Sequence, residues 1–450
     1  MHRPSRLSLR VGPACALLLA LSSPRLAHAD SAPLVTARIA ELKPLVAEKP
    51  KDVTDLFDGA FLAQVPAPKL VEILQQFYRQ AGPVAAAVRT SVQAPYRAEY
   101  RFLTRKGRQF PVRIGLSDAP PHRITALWFG PISVAGATIQ DGLAELKKLP
   151  GEVSFALWEL GTDAPRPLAE LNATKALAIG STFKLYILGA LIAALEKGEK
   201  RWDELVRLRR DRRSLPSGIL HDWPEETPLT LQSLASLMVS ISDNTATDHL
   251  LFAAGREKVE AMLAPMGVAT PARNRPFLAT RELFLLKERG AAGLARRTAY
   301  LKLDEAARRR YLERELARRS LDGFHGLELT APTAIGALEW YASAADLCRT
   351  MDWLRRHSVG RASPARGLLR INKGLLFADG RWRYVGYKGG SEPGVLNFTW
   401  LLERKDGKWF ALSVGWNDAK APVAETRLIE IAQGMILVLE GELDAKKAAR

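Results

Sequence analysis

The spacing of apolar residues changes along the first third of the chain. Between residues 34 and 80, apolar positions recur at near-helical spacing, which predicts helices. From residue 96 onward they alternate with polar positions, which predicts strands at 96–102, 110–116 and 123–129, with a turn at Lys106-Gly107. Helices followed by a small antiparallel sheet indicate an α+β unit over residues 30–146.

A second α+β unit is predicted over residues 150–442. It opens with a strand at Val153–Leu160 and continues with the apolar run Leu185–Leu195 and a helix capped by Thr230. Residues 285–320 are charged and helical and have the character of an insertion. Three strands and an apolar helix are predicted at the end, at 384–387, 395–403, 409–416 and 423–439. We therefore expect an antiparallel sheet, assembled from both ends of the unit, with helices packed on both sides.

The N-terminus has the pattern of a secretory signal peptide. Arginines precede the apolar run Val11–Leu21, and Ala27-His28-Ala29 is a small-x-small cleavage signature, so residues 1–29 are predicted to be removed. The apolar run is too short to span a bilayer, and no later run is long enough. We expect a periplasmic or secreted protein without an integral membrane segment, in which Cys348 is a buried, inert thiol.

The charge and the composition of the chain argue against nucleic-acid and metal partners. The net charge of +17 is concentrated in arginine-rich stretches such as Arg207–Arg213. We interpret these stretches as solvated surfaces, because no nucleic-acid motif accompanies them and the export signal argues against a nucleic-acid partner. The seven histidines show no ligand spacing and the cysteines are not paired, so no metal or other cofactor is expected.

Three short elements could carry chemistry. In Ser181-Thr182-Phe183-Lys184, the serine and lysine lie one helical turn apart, so a lysine whose pKa is lowered by burial could act as base for the hydroxyl. That pattern alone is common. Two further elements follow: Ser242-Asp243-Asn244 at the end of the Thr230 helix, and Lys388-Gly389-Gly390-Ser391 directly after a predicted strand.

In this order the three elements resemble the signature of class A β-lactamases and penicillin-binding proteins, over about residues 150–440. The segment Ser217-Gly218-Ile219-Leu220 also lies at a position where that family has a similar sequence motif. The preceding unit resembles the ketosteroid-isomerase-like cone found in front of some serine hydrolases. The combination is similar to the serine hydrolase of clavulanic acid biosynthesis clusters.

The resemblance implies a role for each residue. Ser181 is the nucleophile, Lys184 its base, and Ser242 relays a proton to the leaving group. The backbone N–H groups of Ser181 and Ser391 would form the oxyanion hole. The residues implied in substrate binding are Asn244, which also holds Lys184, Lys388, which meets a substrate carboxylate, Gly390 and Ser391.

Two departures from the family pattern bear on activity. Gly389 stands where the family usually has threonine or serine, so a hydroxyl that grips the substrate carboxylate is missing. No Glu-x-x-Leu-Asn loop, whose glutamate activates the deacylating water, occurs between Asn244 and Lys388. Glu282 and Glu328 lie near the expected distances, although a surface or capping carboxylate is the commoner role for such residues.

The sequence therefore predicts an exported serine acyl-hydrolase that acts on β-lactam-like amides or esters. We expect a monomer whose substrate is a β-lactam, an ester or a peptidoglycan peptide. The open alternatives are a cell-wall carboxypeptidase or esterase with weak β-lactamase activity, and a non-catalytic protein that binds β-lactams or peptidoglycan. An intact Ser-Lys pair argues against the binding protein, because binding alone does not require a base beside a hydroxyl.

Overall fold

The structure, a computed structural model, divides between residues 136 and 137 into two compact units, called unit 1 and unit 2 below. The predicted signal peptide and the predicted turn at Lys106-Gly107 lie outside the described residues. The structure describes residues 32–448 except 95, 106–107, 131, 135–137, 163, 216, 322–323, 376 and 378–380.

Unit 1 packs helices against one antiparallel sheet. Its helices are α1 (Ala32–Leu42), α2 (Gly59–Gln64) and α3 (Ala67–Ala81). Its strands are β1 (Val84–Ala94), β2 (Arg97–Thr104), β3 (Arg108–Leu116), β4 (Ile124–Phe129) and β5 (Ser133–Val134). The sheet order is β1-β2-β3-β4, with β5 paired to β3. The sequence pattern did not mark β1, because none of the side chains from 84 to 90 is buried and no apolar alternation arises.

The core of unit 1 lies between the helices and the sheet. Leu70 and Leu74 from α3 pack in the same cluster as Phe102 and Phe110 from the strands. The α+β class predicted for this unit is confirmed. Its likeness to a ketosteroid-isomerase-like cone stays a prediction.

Unit 2 is built around a five-stranded antiparallel sheet of order β12-β13-β14-β6-β7. Its strands are β6 (Glu152–Leu160), β7 (Arg166–Leu171), β8 (Leu177–Ala178), β9 (Leu205–Arg207), β10 (Pro228–Thr230), β11 (Tyr341–Ala342), β12 (Trp382–Glu392), β13 (Val395–Arg404) and β14 (Trp409–Asn417). The short pairs β9–β10 and β8–β11 lie outside the main sheet.

Helices cover both faces of this sheet, as predicted. They are α4 (Ile139–Lys147), α5 (Lys184–Glu196), α6 (Leu231–Ser240), α7 (Asn244–Ala254), α8 (Arg256–Met262), α9 (Thr280–Lys287), α10 (Ala291–Leu301), α11 (Glu305–Tyr311), α12 (Ala344–His357), α13 (Pro364–Leu369) and α14 (Glu425–Ala448). Successive residues of β6 point to opposite faces. Phe155 and Leu157 join the core of α4 and α14, whereas Ala156 and Trp158 join the larger core around α5.

Two details differ from the sequence pattern. Helix α4 belongs to unit 2, although the boundary was predicted at residue 146, because Leu143 and Leu146 pack into the core that α14 covers. The charged stretch 285–320 is helical as predicted, and Tyr300, Leu312 and Leu316 anchor it in the α5 core.

Two other features concern export and redox chemistry. Within the described part of the chain, no helix is long and apolar enough to cross a membrane. Cys348 is fully buried on α12, and its thiol is free.

Candidate active site

Ser181 lies at the entrance of a helix of unit 2 that is buried along most of its length. The 3₁₀ turn Gly180–Phe183 leads directly into α5, and Lys184 is the first residue of that helix. Because α5 is apolar on all sides, it runs through the core and carries the Lys184 side chain to full burial. Ser181 stays half-buried at the surface of the same turn.

Ser242 and Asn244 are positioned by a cap between two helices. The carboxylate of Asp243 accepts a hydrogen bond from Ala246 N at 2.7 Å and so caps α7. It also accepts hydrogen bonds from Ile219 N at 2.6 Å and Leu220 N at 2.9 Å. These bonds connect the segment 217–220 to the Ser242-Asp243-Asn244 element. Ser242 has a φ of +59°, an uncommon backbone conformation that the surrounding contacts hold in place.

Lys388–Ser391 lie within β12 and not after a strand, so that prediction was wrong. The ladder to β13 continues through Lys388 opposite Thr399 and Gly390 opposite Asn397, so the strand extends through the two glycines. The motif therefore sits on a rigid edge strand.

The three elements meet in one hydrogen-bonded network. The Lys184 Nζ donates to Ser242 Oγ at 2.9 Å, to Ser242 O at 2.6 Å and to Asn244 Oδ1 at 2.7 Å. The Lys388 Nζ donates to the same Ser242 Oγ at 3.1 Å and to Gly389 O at 2.6 Å. Two lysines thus converge on one serine hydroxyl.

Burial controls the charge of both lysines. It lowers the pKa of Lys184 well below the ordinary 10.5, the nearby charge of Lys388 lowers it further, and Asp248 and Asp243 offset only part of this. Burial also lowers the pKa of Lys388 to about 7. The neutral amine of Lys184, which can accept a proton, is therefore populated at a lower pH than that of an exposed lysine.

These side chains border a cavity of about 490 Å³. Among the residues predicted for the site, its lining includes Ser181, Ser242, Asn244, Lys388, Gly390 and Ser391. Lys184 is buried behind the wall that Ser242 and Asn244 form. Within the described residues the Ser181 hydroxyl makes no hydrogen bond, so the turn brings Ser181 and Lys184 near each other without pairing them directly.

The backbone at Ser181 and at β12 approaches closely. A Cβ on Gly390 would lie 2.4 Å from the Ser181 backbone nitrogen, and a Cβ on Gly180 would lie 2.9 Å from the Ser391 nitrogen. The two backbone nitrogens predicted to hold an oxyanion therefore border one narrow gap, which only glycine leaves open.

We expect Gly390→Ala to lower the acylation rate of Ser181 at least about 100-fold, as does loss of one oxyanion donor. Its Cβ would meet backbone atoms of Ile179, Gly180 and Ser181, which cannot move without shifting the turn. Gly336→Ala is the matched control, because a Cβ at that glycine of the same unit would meet no atom within 4 Å. Stopped-flow acylation kinetics of both variants measure this; equal losses in the two would contradict it.

The Tyr387 hydroxyl also accounts for the glycine at 389. It occupies the space into which a threonine or serine side chain at residue 389 would project. No sequence signal marked this contact, because Tyr387 precedes the motif.

The structure separates the two glutamates considered for deacylation. Glu282 is buried in a two-bond ion pair with Arg256, at 2.6 and 2.9 Å, and does not line the cavity. Glu328 lines the cavity, but it is exposed and its carboxylate accepts hydrogen bonds from Thr330. Those hydrogen bonds lower the pKa of Glu328 and make it a weak base.

The same cavity contains a charged group that no sequence motif predicted. Lys287 and Glu392 line it, and the Lys287 Nζ donates to Glu339 Oε1 at 2.7 Å and to Glu392 Oε1 at 2.5 Å. The available signal was the position of Glu392, directly after the third motif.

Residues 137–323 match the model of the β-lactamase enzyme family. The match includes the Ser181 and Ser242 elements of the β-lactamase signature and ends before Lys388. With the fold of unit 2, it supports a serine β-lactamase-like fold and a serine hydrolase domain. A search of curated proteins found no match to the chain.

Similar solved structures include two β-lactamases and a protein titled PBP-A. The β-lactamase from Sphaerobacter thermophilus DSM 20745 is 18% identical with a TM-score of 0.48, covering 68% of this chain and 96% of that chain. PBP-A is 15% identical with a TM-score of 0.47 and the same coverage. The β-lactamase from Chitinophaga pinensis DSM 2588 is 16% identical with a TM-score of 0.46, covering 68% and 98%.

Potential metal ligands are not grouped within the described residues: no three histidine, cysteine, aspartate or glutamate side chains are arranged to hold an ion.

Proposed function

We propose that this protein is an exported active-site serine acyl-hydrolase that acts on β-lactam-like amides or esters through an acyl-enzyme. The observation that carries the proposal is the buried Lys184 amine, which holds Ser242 and Asn244 beside the cavity that contains Ser181. A surface lysine would stay charged, whereas this one has a lowered pKa and can accept the proton of a hydroxyl.

The proposed reaction begins with attack of Ser181 Oγ on the substrate carbonyl. Lys184 takes the proton of Ser181, and Ser242, within 2.9 Å of Lys184, passes a proton to the leaving nitrogen or oxygen. The N–H groups of Ser181 and Ser391 stabilise the oxyanion. Lys388, which shares the Ser242 hydroxyl, attracts a substrate carboxylate. Asn244 holds Lys184 and orients the substrate amide.

Intact-protein mass spectrometry tests this directly. The protein is exposed separately to a penicillin, a cephalosporin and an activated ester, and an adduct of one acyl group per chain is expected with at least one of them. Absence of both adduct and hydrolysis with all three would instead favour the non-catalytic binding protein.

The cell-wall carboxypeptidase or esterase remains the second candidate, favoured by the placement of Glu282. That carboxylate is taken up by Arg256 away from the cavity, so it cannot activate a deacylating water there. A peptidase or esterase with weak β-lactamase activity would share the acylation machinery and differ in how quickly the acyl group leaves.

We expect β-lactams to acylate the enzyme and to leave slowly at neutral pH. Pre-steady-state kinetics with a chromogenic cephalosporin should show a burst near one equivalent, followed by a slow steady rate. Small activated esters should turn over faster, because their acyl groups leave room for water. A linear trace with fast turnover of the cephalosporin and no accumulated adduct would contradict this expectation.

A further inference from the structure

Glu392 lies on the same face of β12 as the groups that border Ser181. Side chains two residues apart share a face of a strand and are separated by about 7 Å. Lys388, Gly390 and Glu392 therefore point the same way, with Gly390 against the Ser181 nitrogen. Lys388 leads towards Ser242 on one side of Gly390, and Glu392 lies on the other side.

Buried partners hold the Glu392 carboxylate. Its Oε1 accepts from the Lys287 Nζ at 2.5 Å, and the same Nζ donates to Glu339 Oε1 at 2.7 Å. The Lys287 and Glu339 side chains are 4% and 1% exposed, whereas that of Glu392 is 19% exposed and reaches the cavity. Glu392 thus borders the cavity that contains Ser181, whereas Glu339 is buried away from it.

We propose that Glu392 is the base that activates water for hydrolysis of the acyl-enzyme, while Lys287 and Glu339 position its carboxylate. The proposal rests on the proposed function, since it requires an acyl group on Ser181. Glu392 would then activate the deacylating water. Glu282 lies outside the cavity and cannot do so, and the exposed Glu328 is a weak base.

The step balances without any added reactant. Glu392 takes a proton from water as the water oxygen bonds to the acyl carbon, and the oxyanion forms between the Ser181 and Ser391 N–H groups. When the tetrahedral species collapses, the bond between the acyl carbon and Ser181 Oγ breaks. The proton passes from Glu392 to Oγ, which restores the carboxylate and the serine hydroxyl and releases the carboxylic acid.

The charges around Glu392 determine the pH range in which its carboxylate is ionised and can act as a base. Burial and the neighbouring Glu339 raise the pKa of Glu392 well above 4.5, and Lys287 opposes this in part. Burial disfavours the charge on Lys287, but the two carboxylates outweigh it and raise the pKa of that lysine. Tyr341, under the Arg273 guanidinium, also faces this cluster, and Glu328 and Lys388 border the same cavity.

Because a base must be ionised, these charges predict a deacylation rate that rises with pH through the raised pKa of Glu392. At the lower end of that range a protonated Glu392 would slow the departure of β-lactam acyl groups. A carboxylate with an ordinary pKa would contribute no rise of its own over the same range.

The test compares Glu392→Gln with Glu328→Gln, which removes the same charge from the same cavity. Each variant is acylated with a penicillin, freed of excess reagent, and followed by intact-protein mass spectrometry from pH 5 to 9. In Glu392→Gln we expect an unchanged adduct yield, a decay at least about 100-fold slower and loss of the part of the pH dependence that Glu392 contributes. Glu328→Gln should decay like the wild type, and Glu392→Asp should recover part of the rate.

Decay of the Glu392→Gln adduct at the wild-type rate, or with the wild-type pH profile, would overturn the role of Glu392 and leave the proposed function intact. A wild-type protein that forms no adduct and hydrolyses none of the acyl donors would overturn both. Should Glu392→Gln fail to fold, the wild-type pH profile decides, and a flat decay rate would overturn the proposal.

Discussion

Ser181→Ala is expected to abolish covalent labelling by a β-lactam or a fluorophosphonate, and to lower any hydrolysis by roughly 10⁴-fold or more. The hydroxyl borders the cavity and makes no hydrogen bond within the described residues, so its removal deletes the nucleophile and little else. The free energy of unfolding should change by less than about 1 kcal/mol. Intact-protein mass spectrometry and thermal unfolding measure the two effects.

Ser240→Ala is the matched control for this variant. Ser240 also lines the cavity, but its hydroxyl is hydrogen-bonded to Ser236 O at 2.6 Å. Labelling should persist at one equivalent in this variant. Labelling that also persists in Ser181→Ala would show that another residue is the nucleophile.

Lys184→Arg should reduce acylation about 10²- to 10⁴-fold, the usual contribution of a positioned base. Arginine stays protonated at every accessible pH and cannot accept the proton of Ser181. In the wild type, the acylation rate should rise with pH and level off well below 10.5, because burial lowers the pKa of Lys184. Stopped-flow acylation over pH 5 to 10 measures both effects.

Unfolding measurements separate the chemical effect of Lys184 from a structural one. Between the lowered pKa and the ordinary 10.5, the unfolded chain binds a proton at Lys184 that the folded protein does not. The free energy of unfolding should therefore rise with pH in that interval, by about 1.4 kcal/mol per pH unit from this group. Lys184→Met should flatten that slope. If Lys184→Arg is still acylated at the wild-type rate, Lys184 is not the base and another residue must accept the proton.

The sequence was most informative where the signal was local. The α+β class followed from apolar spacing and is confirmed, and the strand at Val153–Leu160 differs from β6 by one residue. The Ser181–Lys184 spacing lies within a single turn. The edge strand β12 was predicted too short, because its pairing with β13 continues through Gly389 and Gly390.

The spacing of apolar residues could not predict that the three elements of the site come together. Lys184 and Ser242 are 58 residues apart, and Ser242 and Lys388 are 146 apart, so only the likeness to a known signature joined them. The ion pairs of Lys287 with Glu339 and Glu392 span 52 and 105 residues. No family signature includes these residues, so the sequence did not predict the pairs. Partnerships between distant charged residues leave no repeating pattern in a sequence.

The sheet of unit 2 joins the two ends of that unit, and this has a consequence for biosynthesis. The Trp416 indole donates to Pro150 O across 266 residues, and β14 pairs with β6 along its length. Such distant pairings form late, because the intervening chain must first be closed into a loop. A nascent chain that lacks β12 to β14 has neither Lys388 nor the second of the proposed oxyanion donors. The proposed acylating centre would therefore stay inactive until β12 to β14 have been made.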